Sequence, residues 1–239
     1  MHPGNSRWGK VEPAGRVASP VFPYVYSKVT VTVMVMGVGR VVAAAQSLVL
    51  GLVSLVAGPP HVVLVGLDSS GKTTALLRLK YGQYVNAVPT VGFNCERVRS
   101  GGYQWLVWDV GGCERVRPLW RSYTRATDAL VFVVDSSSGR DRLEEARVEL
   151  HRLARQQGVE SAAHNRPRPP LLVVANKQDL PSARPSHELA VDLGLSDLPP
   201  TQPWSLAPAC AVTGEGLHEA MEALHALMLK TKRMPRPWK

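Results

Sequence analysis

The chain has 239 residues, 45% hydrophobic and 20% charged, a balance that excludes a disordered chain and allows one domain of about 170–180 residues plus a tail. Its formal net charge of +9 calls for an anionic partner, whether nucleotide phosphate, acidic lipid or nucleic acid. Cys95, Cys113 and Cys210 are odd in number and far apart, which excludes a disulfide framework or a zinc-type pair and points to a reducing cytosol.

From the start to about Pro23 the chain mixes Pro, Gly, Ser and basic residues without apolar periodicity, and residues 1–40 read as a flexible leader. Val25–Val35 is β-branched and apolar, with no turn that would pair it with a strand. Val41–Ala57 is a second apolar run, ended by Gly58-Pro59-Pro60, which gives an apolar helix over 41–58. It is short of the roughly 20 residues a membrane span needs, and it begins too far along for a conventional signal peptide. A helix lying on a membrane surface or docked on a core is favoured over a signal anchor.

After Pro60 the pattern becomes regular. Val62–Val65 predicts a buried strand, followed by a glycine loop and a helix over Lys72–Lys80. Arg97–Val98 and Trp105–Trp108 flank Ser100-Gly101-Gly102 as a hairpin. Ala129–Val134, Leu171–Ala175 and Ser205–Ala209 are further strands, alternating with helices over Arg140–Arg155, Ser186–Leu193 and Leu217–Lys230. Such alternation predicts an α/β fold: a doubly wound, mostly parallel sheet with helices on both faces. Val159–Pro170 reads as an exposed, proline-rich loop. The domain is expected over 61–232 and a basic tail over 233–239, with Lys230, Lys232, Arg233, Arg236 and Lys239 holding much of the excess charge.

Gly66-Leu67-Asp68-Ser69-Ser70-Gly71-Lys72-Thr73 fits the phosphate-loop pattern GxxxxGK[ST] and sits between a strand and a helix, which makes the fold a P-loop one. Its glycines let successive backbone N–H groups turn inward, and the helix beginning at Lys72, Thr73 and Thr74 adds its positive end. Lys72 is expected to neutralise the β/γ oxygens and the Thr73 hydroxyl to complete a Mg2+ shell. Asn176-Lys177-Gln178-Asp179 follows a strand at the sheet edge where ligands bind. A carboxylate such as Asp179 accepts both the N1–H and the 2-amino protons of guanine, a pattern adenine does not offer. In order behind a phosphate loop and ahead of Cys210-Ala211-Val212, this motif selects guanine, and the ligands are GTP/GDP with Mg2+. Asp109, in Asp109-Val110-Gly111-Gly112, is expected to hold the metal through water, and the Gly112 N–H to sense the γ-phosphate. Thr90, in Pro89-Thr90-Val91-Gly92-Phe93-Asn94, is expected to close over the metal from a mobile loop.

Residues 61–232 resemble the ADP-ribosylation-factor-like GTPases throughout. The sharpest matches are Gly66-Leu67-Asp68, Pro89-Thr90-Val91-Gly92-Phe93-Asn94, Trp108-Asp109-Val110-Gly111-Gly112 and Arg117-Pro118-Leu119-Trp120. Trp120-Arg121-Ser122-Tyr123-Thr124-Arg125, Leu143-Glu144-Glu145-Ala146 and Glu149-Leu150-His151-Arg152 resemble the type 4 Arf-like subgroup, as does the basic C-terminus. The resemblance implies a small G-protein fold and a GTP-dependent membrane switch, monomeric, served by exchange factors and recruiting effectors. For the type 4 subgroup these partners include cytohesin exchange factors at the plasma membrane. It also implies that Phe93, Trp108 and Tyr123 form the family's aromatic effector triad, although the same residues also suit ordinary packing.

Two positions depart from the family. Where the family has a glutamine orienting the attacking water, this chain has Cys113, and a thiol cannot span water and γ-phosphate as a carboxamide can. Catalysis by the group of Cys113, Thr90 and Gly112 is therefore expected to be very slow. The family begins Met-Gly and is myristoylated there, whereas this chain begins Met1-His2, with Met36-Gly37 internal and Val41 where the acylation pattern wants Ser or Thr. Peripheral membrane contact from the cytoplasm is then expected to rest on the Val41–Ala57 helix and the basic tail, which also suits a nuclear pool. The sequence leaves open a cycling GTPase and a mostly GTP-loaded adaptor. A nucleic-acid binder is disfavoured, because the basic residues are scattered without aromatic interleaving.

Overall fold

The structure, a computed structural model, describes residues 58–231. The leader, the apolar stretch over 41–57 and the basic tail lie outside the described residues. Strand β1 is His61–Val65, helix α1 Lys72–Tyr81, β2 Phe93–Ser100 and β3 Tyr103–Val110. A 3-10 turn at Arg117–Leu119 leads into the short helix α2, Trp120–Thr124, and then β4, Ala129–Asp135. Helix α3 is Arg140–Ala163, β5 Leu171–Asn176, α4 Ser186–Asp192, β6 Trp204–Pro208 and α5 Leu217–Lys230, with a second 3-10 turn at Leu195–Asp197.

The strands form one six-stranded sheet in the order β2-β3-β1-β4-β5-β6. Only β2 runs antiparallel to its neighbour; β3, β1, β4, β5 and β6 are mutually parallel. The β2–β3 hairpin closes on Gly101-Gly102, both at positive φ, between the paired Ser100 and Tyr103. That is the two-residue turn whose twist matches the flanking strands.

The central strands are apolar on both faces because helices cover both, and period-two alternation divides them between two cores. On one side Val62 and Leu64 of β1 and Val131 and Val133 of β4 pack with Ala75 and Leu76 of α1 and Leu217, Leu224 and Met228 of α5. On the other, Val63, Val65, Leu130, Phe132 and Val134 meet Trp120 of α2, Leu143, Leu150 and Leu153 of α3 and Leu189 of α4. The chain leaves central β1 toward β3 on one side and β4 on the other. The loops after β1, β3, β4, β5 and β6 therefore open at the same edge, where open α/β sheets bind ligands.

The α3 boundary corrects the sequence reading. Val159–Pro170 was expected to be a loop, yet the helix runs on to Ala163 and only the segment after it is irregular. Its last turns have partners that local sequence does not display. The Gln157 amide donates to the Thr124 hydroxyl at 2.8 Å, and Glu160 pairs with Arg121 at 3.1 Å and Arg125 at 3.6 Å. Arg168 then folds back to donate to the Ala154 carbonyl at 2.9 Å.

Candidate functional site

The phosphate loop occupies the turn from β1 to α1. Gly71 caps α1 at φ 92°, and a Cβ there would lie 2.2 Å from the Asn176 amide nitrogen, so glycine is required both by conformation and by space. Gly66 is buried at the start of the loop, Asp68 and Ser69 are exposed, and Ser70 is buried. Thr74, in the first turn of the helix, is half-buried. Helix α1 has no side-chain cap and no acidic residue in its first turn, which leaves its N–H donors and positive end open toward the loop. The Lys72 amine is buried and donates to the Leu67 carbonyl at 2.7 Å, bridging the loop. Burial pushes this amine down to about 8, against the opposing pull of the Asp109 and Asp68 charges.

Beside the loop, three oxygen-bearing side chains from three separate segments converge. Thr73 Oγ1 lies 2.8 Å from Thr90 Oγ1, and the hydroxyls of Thr73 and Thr90 donate to Asp109 Oδ2 at 2.7 and 3.1 Å. Asn94 Nδ2 donates to the same oxygen at 3.3 Å. Asp109 is fully buried, and its other oxygen, Oδ1, has no hydrogen-bond partner among the described residues. A buried carboxylate with an orphaned oxygen calls for a cation. Octahedral Mg2+ holds oxygens at about 2.1 Å, which puts neighbouring ligands about 3 Å apart, the spacing these hydroxyls already have. The residues present therefore fit Mg2+.

The Gly111-Gly112 turn is fastened to its surroundings. Gly111 N–H donates to the Gly92 carbonyl at 2.9 Å, and Trp120 Nε1 donates to the Gly111 carbonyl at 2.9 Å. Arg117 Nε donates to the Gly112 carbonyl at 2.8 Å. Gly112 packs directly against the phosphate-loop backbone at Gly66, Leu67 and Asp68. Cys113, next in the chain, is exposed.

The loops after β5 and β6 lock onto each other. Asn176 Nδ2 donates to the Ser70 carbonyl at 2.7 Å, while its Oδ1 accepts from Ala211 N–H at 2.9 Å. Cys210 Sγ donates to Asp179 Oδ1 at 3.2 Å, and Lys177, at φ 66°, pairs with Asp135 at 2.7 Å. Asp179 itself is exposed at the sheet edge. The structure thus brings Asn176, Lys177, Asp179, Cys210 and Ala211 together in two loops joined by hydrogen bonds.

Phe93, Trp108 and Tyr123 form one aromatic group, with ring centroids 5.1 Å apart for Phe93–Trp108, 5.4 Å for Phe93–Tyr123 and 6.4 Å for Trp108–Tyr123. Phe93 is half exposed and Val91 almost wholly so. Arg117, Arg142, Glu145 and the Asp135 partner of Lys177 were not singled out as site residues in the sequence. Arg117 and Glu145 occurred only inside matched motifs, and no spacing rule ties them to the phosphate loop.

Comparison with known proteins agrees with this geometry. The model of the ADP-ribosylation factor family matches residues 49–228. Human ADP-ribosylation factor-like protein 4C is 47% identical over 181 residues, covering 72% of this chain and 88% of that protein. Human ADP-ribosylation factor-like protein 4A is 45% identical over 187 residues, covering 75% and 88%, and mouse ADP-ribosylation factor-like protein 4D is 48% identical over 184, covering 74% and 86%. Among solved structures, the Arl6 small GTPase from Trypanosoma brucei with the bound analogue GppNp superposes with a TM-score of 0.65 at 32% identity, covering 73% of this chain and 99% of that one. A structure of the mammalian SRP receptor, 22% identical with a TM-score of 0.61 over 70% of this chain and 99% of that one, shares the fold. The chain belongs to the ADP-ribosylation factor family, with type 4 Arf-like relatives, and is a guanine-nucleotide-binding switch on the small G-protein fold.

Proposed function

We propose that the protein is a switch whose GTP state recruits effectors at a membrane and whose turnover is slowed by Cys113. The observation that carries this reading is the convergence of Thr73, Thr90 and Asp109, which ties the loop before β2 to the phosphate site through one buried carboxylate. Thr73 and Thr90 would hold Mg2+, with Asp109 behind them. Bound there, the ion supplies charge neutralisation at the β/γ oxygens. Lys72 and the open N-terminus of α1 hold the phosphates, and the Gly112 N–H meets the γ-phosphate. Asp179 reads the guanine edge, with Asn176 and Ala211 keeping its loop in place.

Loss of the γ-phosphate removes the partner of Gly112 and frees Thr90, so the loops carrying Thr90 and Cys113 change shape together. Phe93 and Tyr123 sit at the margins of those loops, which suits the aromatic group to an effector surface sensitive to nucleotide. Exchange factors and effector proteins, the effectors including the cytohesin type, are the partners of such a monomeric switch. Peripheral membrane contact rests on the basic tail and the apolar stretch over 41–57; among the described residues no helix is long and apolar enough to cross a membrane. Hydrolysis needs a group that orients water on the γ-phosphate, and the Cys113 thiol is a poor one.

Single-turnover hydrolysis of labelled GTP by wild type and Cys113→Gln, with and without an Arf-family activating protein, tests the reading. The expected result is a response to the activator in the Gln variant alone. Equal hydrolysis by both forms would restore an ordinary GTPase cycle.

A further inference from the structure

Arg117 is almost fully buried, yet its guanidinium touches three separate parts of the molecule. Nε donates to the Gly112 carbonyl at 2.8 Å, one arm pairs with Glu145 of α3 at 2.6 Å, and the other faces Asp68 of the phosphate loop at 3.4 Å. Glu149 lies 3.8 Å away on the next turn of α3. Arg142 closes the ring from the far side, donating to Glu145 at 2.6 Å and to the Asp68 carboxylate and carbonyl at 2.7 and 3.0 Å.

A buried guanidinium keeps its charge, so each partner it loses leaves an unmet charge in a low-dielectric place. The Gly112 carbonyl and Asp68 can serve Arg117 together only while Gly112 rests on the phosphate loop. A contact made in one conformation and not the other shifts the equilibrium between them by its differential free energy.

We propose that Arg117 is a specificity-determining positioning residue: with Glu145 and Arg142 it clamps Gly112 onto the phosphate loop and so sets the preference for GTP over GDP. The clamp acts through Gly112 and does not touch nucleotide. It also makes α3 part of the switch, because Glu145 is the anchor against which the clamp closes. The proposal rests on the guanine-nucleotide reading above.

The test measures the affinities of full-length protein for fluorescent GDP and fluorescent GppNHp in wild type, Arg117→Lys, Glu145→Gln and the control Arg147→Gln. Arg147 pairs with Glu144 on the exposed side of α3, away from the clamp. The expected result is GDP affinity held within about twofold, while GppNHp affinity falls by about tenfold to a hundredfold in Arg117→Lys and less in Glu145→Gln. Arg147→Gln matches wild type for both. Equal weakening of both nucleotides would make Arg117 a merely structural residue and overturn the clamp, as would unchanged GppNHp affinity in Arg117→Lys. A wild-type chain that binds neither nucleotide would instead refute the guanine-nucleotide reading, and the clamp with it.

Discussion

Replacing Gly112 by alanine adds one methyl where two stretches of main chain meet closely. A Cβ there would lie 2.3 Å from the Gly66 carbonyl oxygen, 2.5 Å from the Asp68 nitrogen and 2.5 Å from the Leu67 carbonyl carbon. Ordinary contact begins at 3.4 Å, so the turn must retreat by the difference, 3.4 − 2.3 = 1.1 Å. The obstacles are all main chain, in a loop tied down by Lys72 and Asn176, and cannot swing aside as a flexible side chain would. Overpacking of this kind costs about 1–3 kcal/mol, a factor of about 5 to 150 in an equilibrium constant. The cost falls on the state in which Gly112 is seated. Affinity for GTPγS should therefore drop by that factor while affinity for GDP stays within about twofold, as measured by equilibrium dialysis with the two labelled nucleotides. A Gly112→Ala protein that keeps its GTPγS affinity, or loses both affinities equally, would refute the seating argument.

Three further outcomes are expected. Asp179→Asn replaces an acceptor by a donor at the base edge, so guanine nucleotides should weaken and xanthine nucleotides gain, measured by competition against labelled GDP. Phe132→Ala empties a fully buried site at the centre of the sheet and should lower stability by about 3–5 kcal/mol in urea unfolding of the GDP-loaded protein. For Asp68 and Glu145, burial pushes the carboxyls up, but the hydrogen bonds and charges of Arg142 and Arg117 outweigh it and hold both below their ordinary values of 3.8 and 4.5. Lowered carboxyls stabilise the fold above the ordinary values and lose that contribution as pH falls through and below them. The melting temperature of wild type should thus fall more steeply below pH 4.5 than that of Glu145→Gln.

Much of this architecture is legible in the chain because it is local. Leu217–Lys230 has the same bounds in sequence and structure, since α5 carries its own apolar stripe and ends at a basic tail. The phosphate loop, the Asn176–Asp179 motif and the Gly101-Gly102 turn impose their geometry through neighbouring backbone, so spacing alone locates them. What sequence does not display is partnership at a distance. The end of α3 depends on Thr124, Arg121 and Arg125, more than thirty positions upstream, and the prolines after it suggest a loop. The ring of Asp68, Arg117, Arg142 and Glu145 is likewise assembled only by the fold, from residues far apart in the chain.

The uncapped start of α1 bears on more than phosphate recognition. A helix terminus with unmet donors, a desolvated amine and an unbalanced carboxylate beside it is an expensive arrangement for a protein to hold by itself. A guanine nucleotide bound together with Mg2+ would satisfy all three, its phosphates meeting the helix donors and the amine and the cation meeting the carboxylate, and would support the fold much as a structural metal does in a small domain. Its contribution follows mass action and reaches about 4.1 kcal/mol when free nucleotide exceeds its dissociation constant a thousandfold. In a cell rich in guanine nucleotide the fold would draw on that reserve continuously. Any partner that pries the nucleotide out must hold the open loop itself until another takes its place.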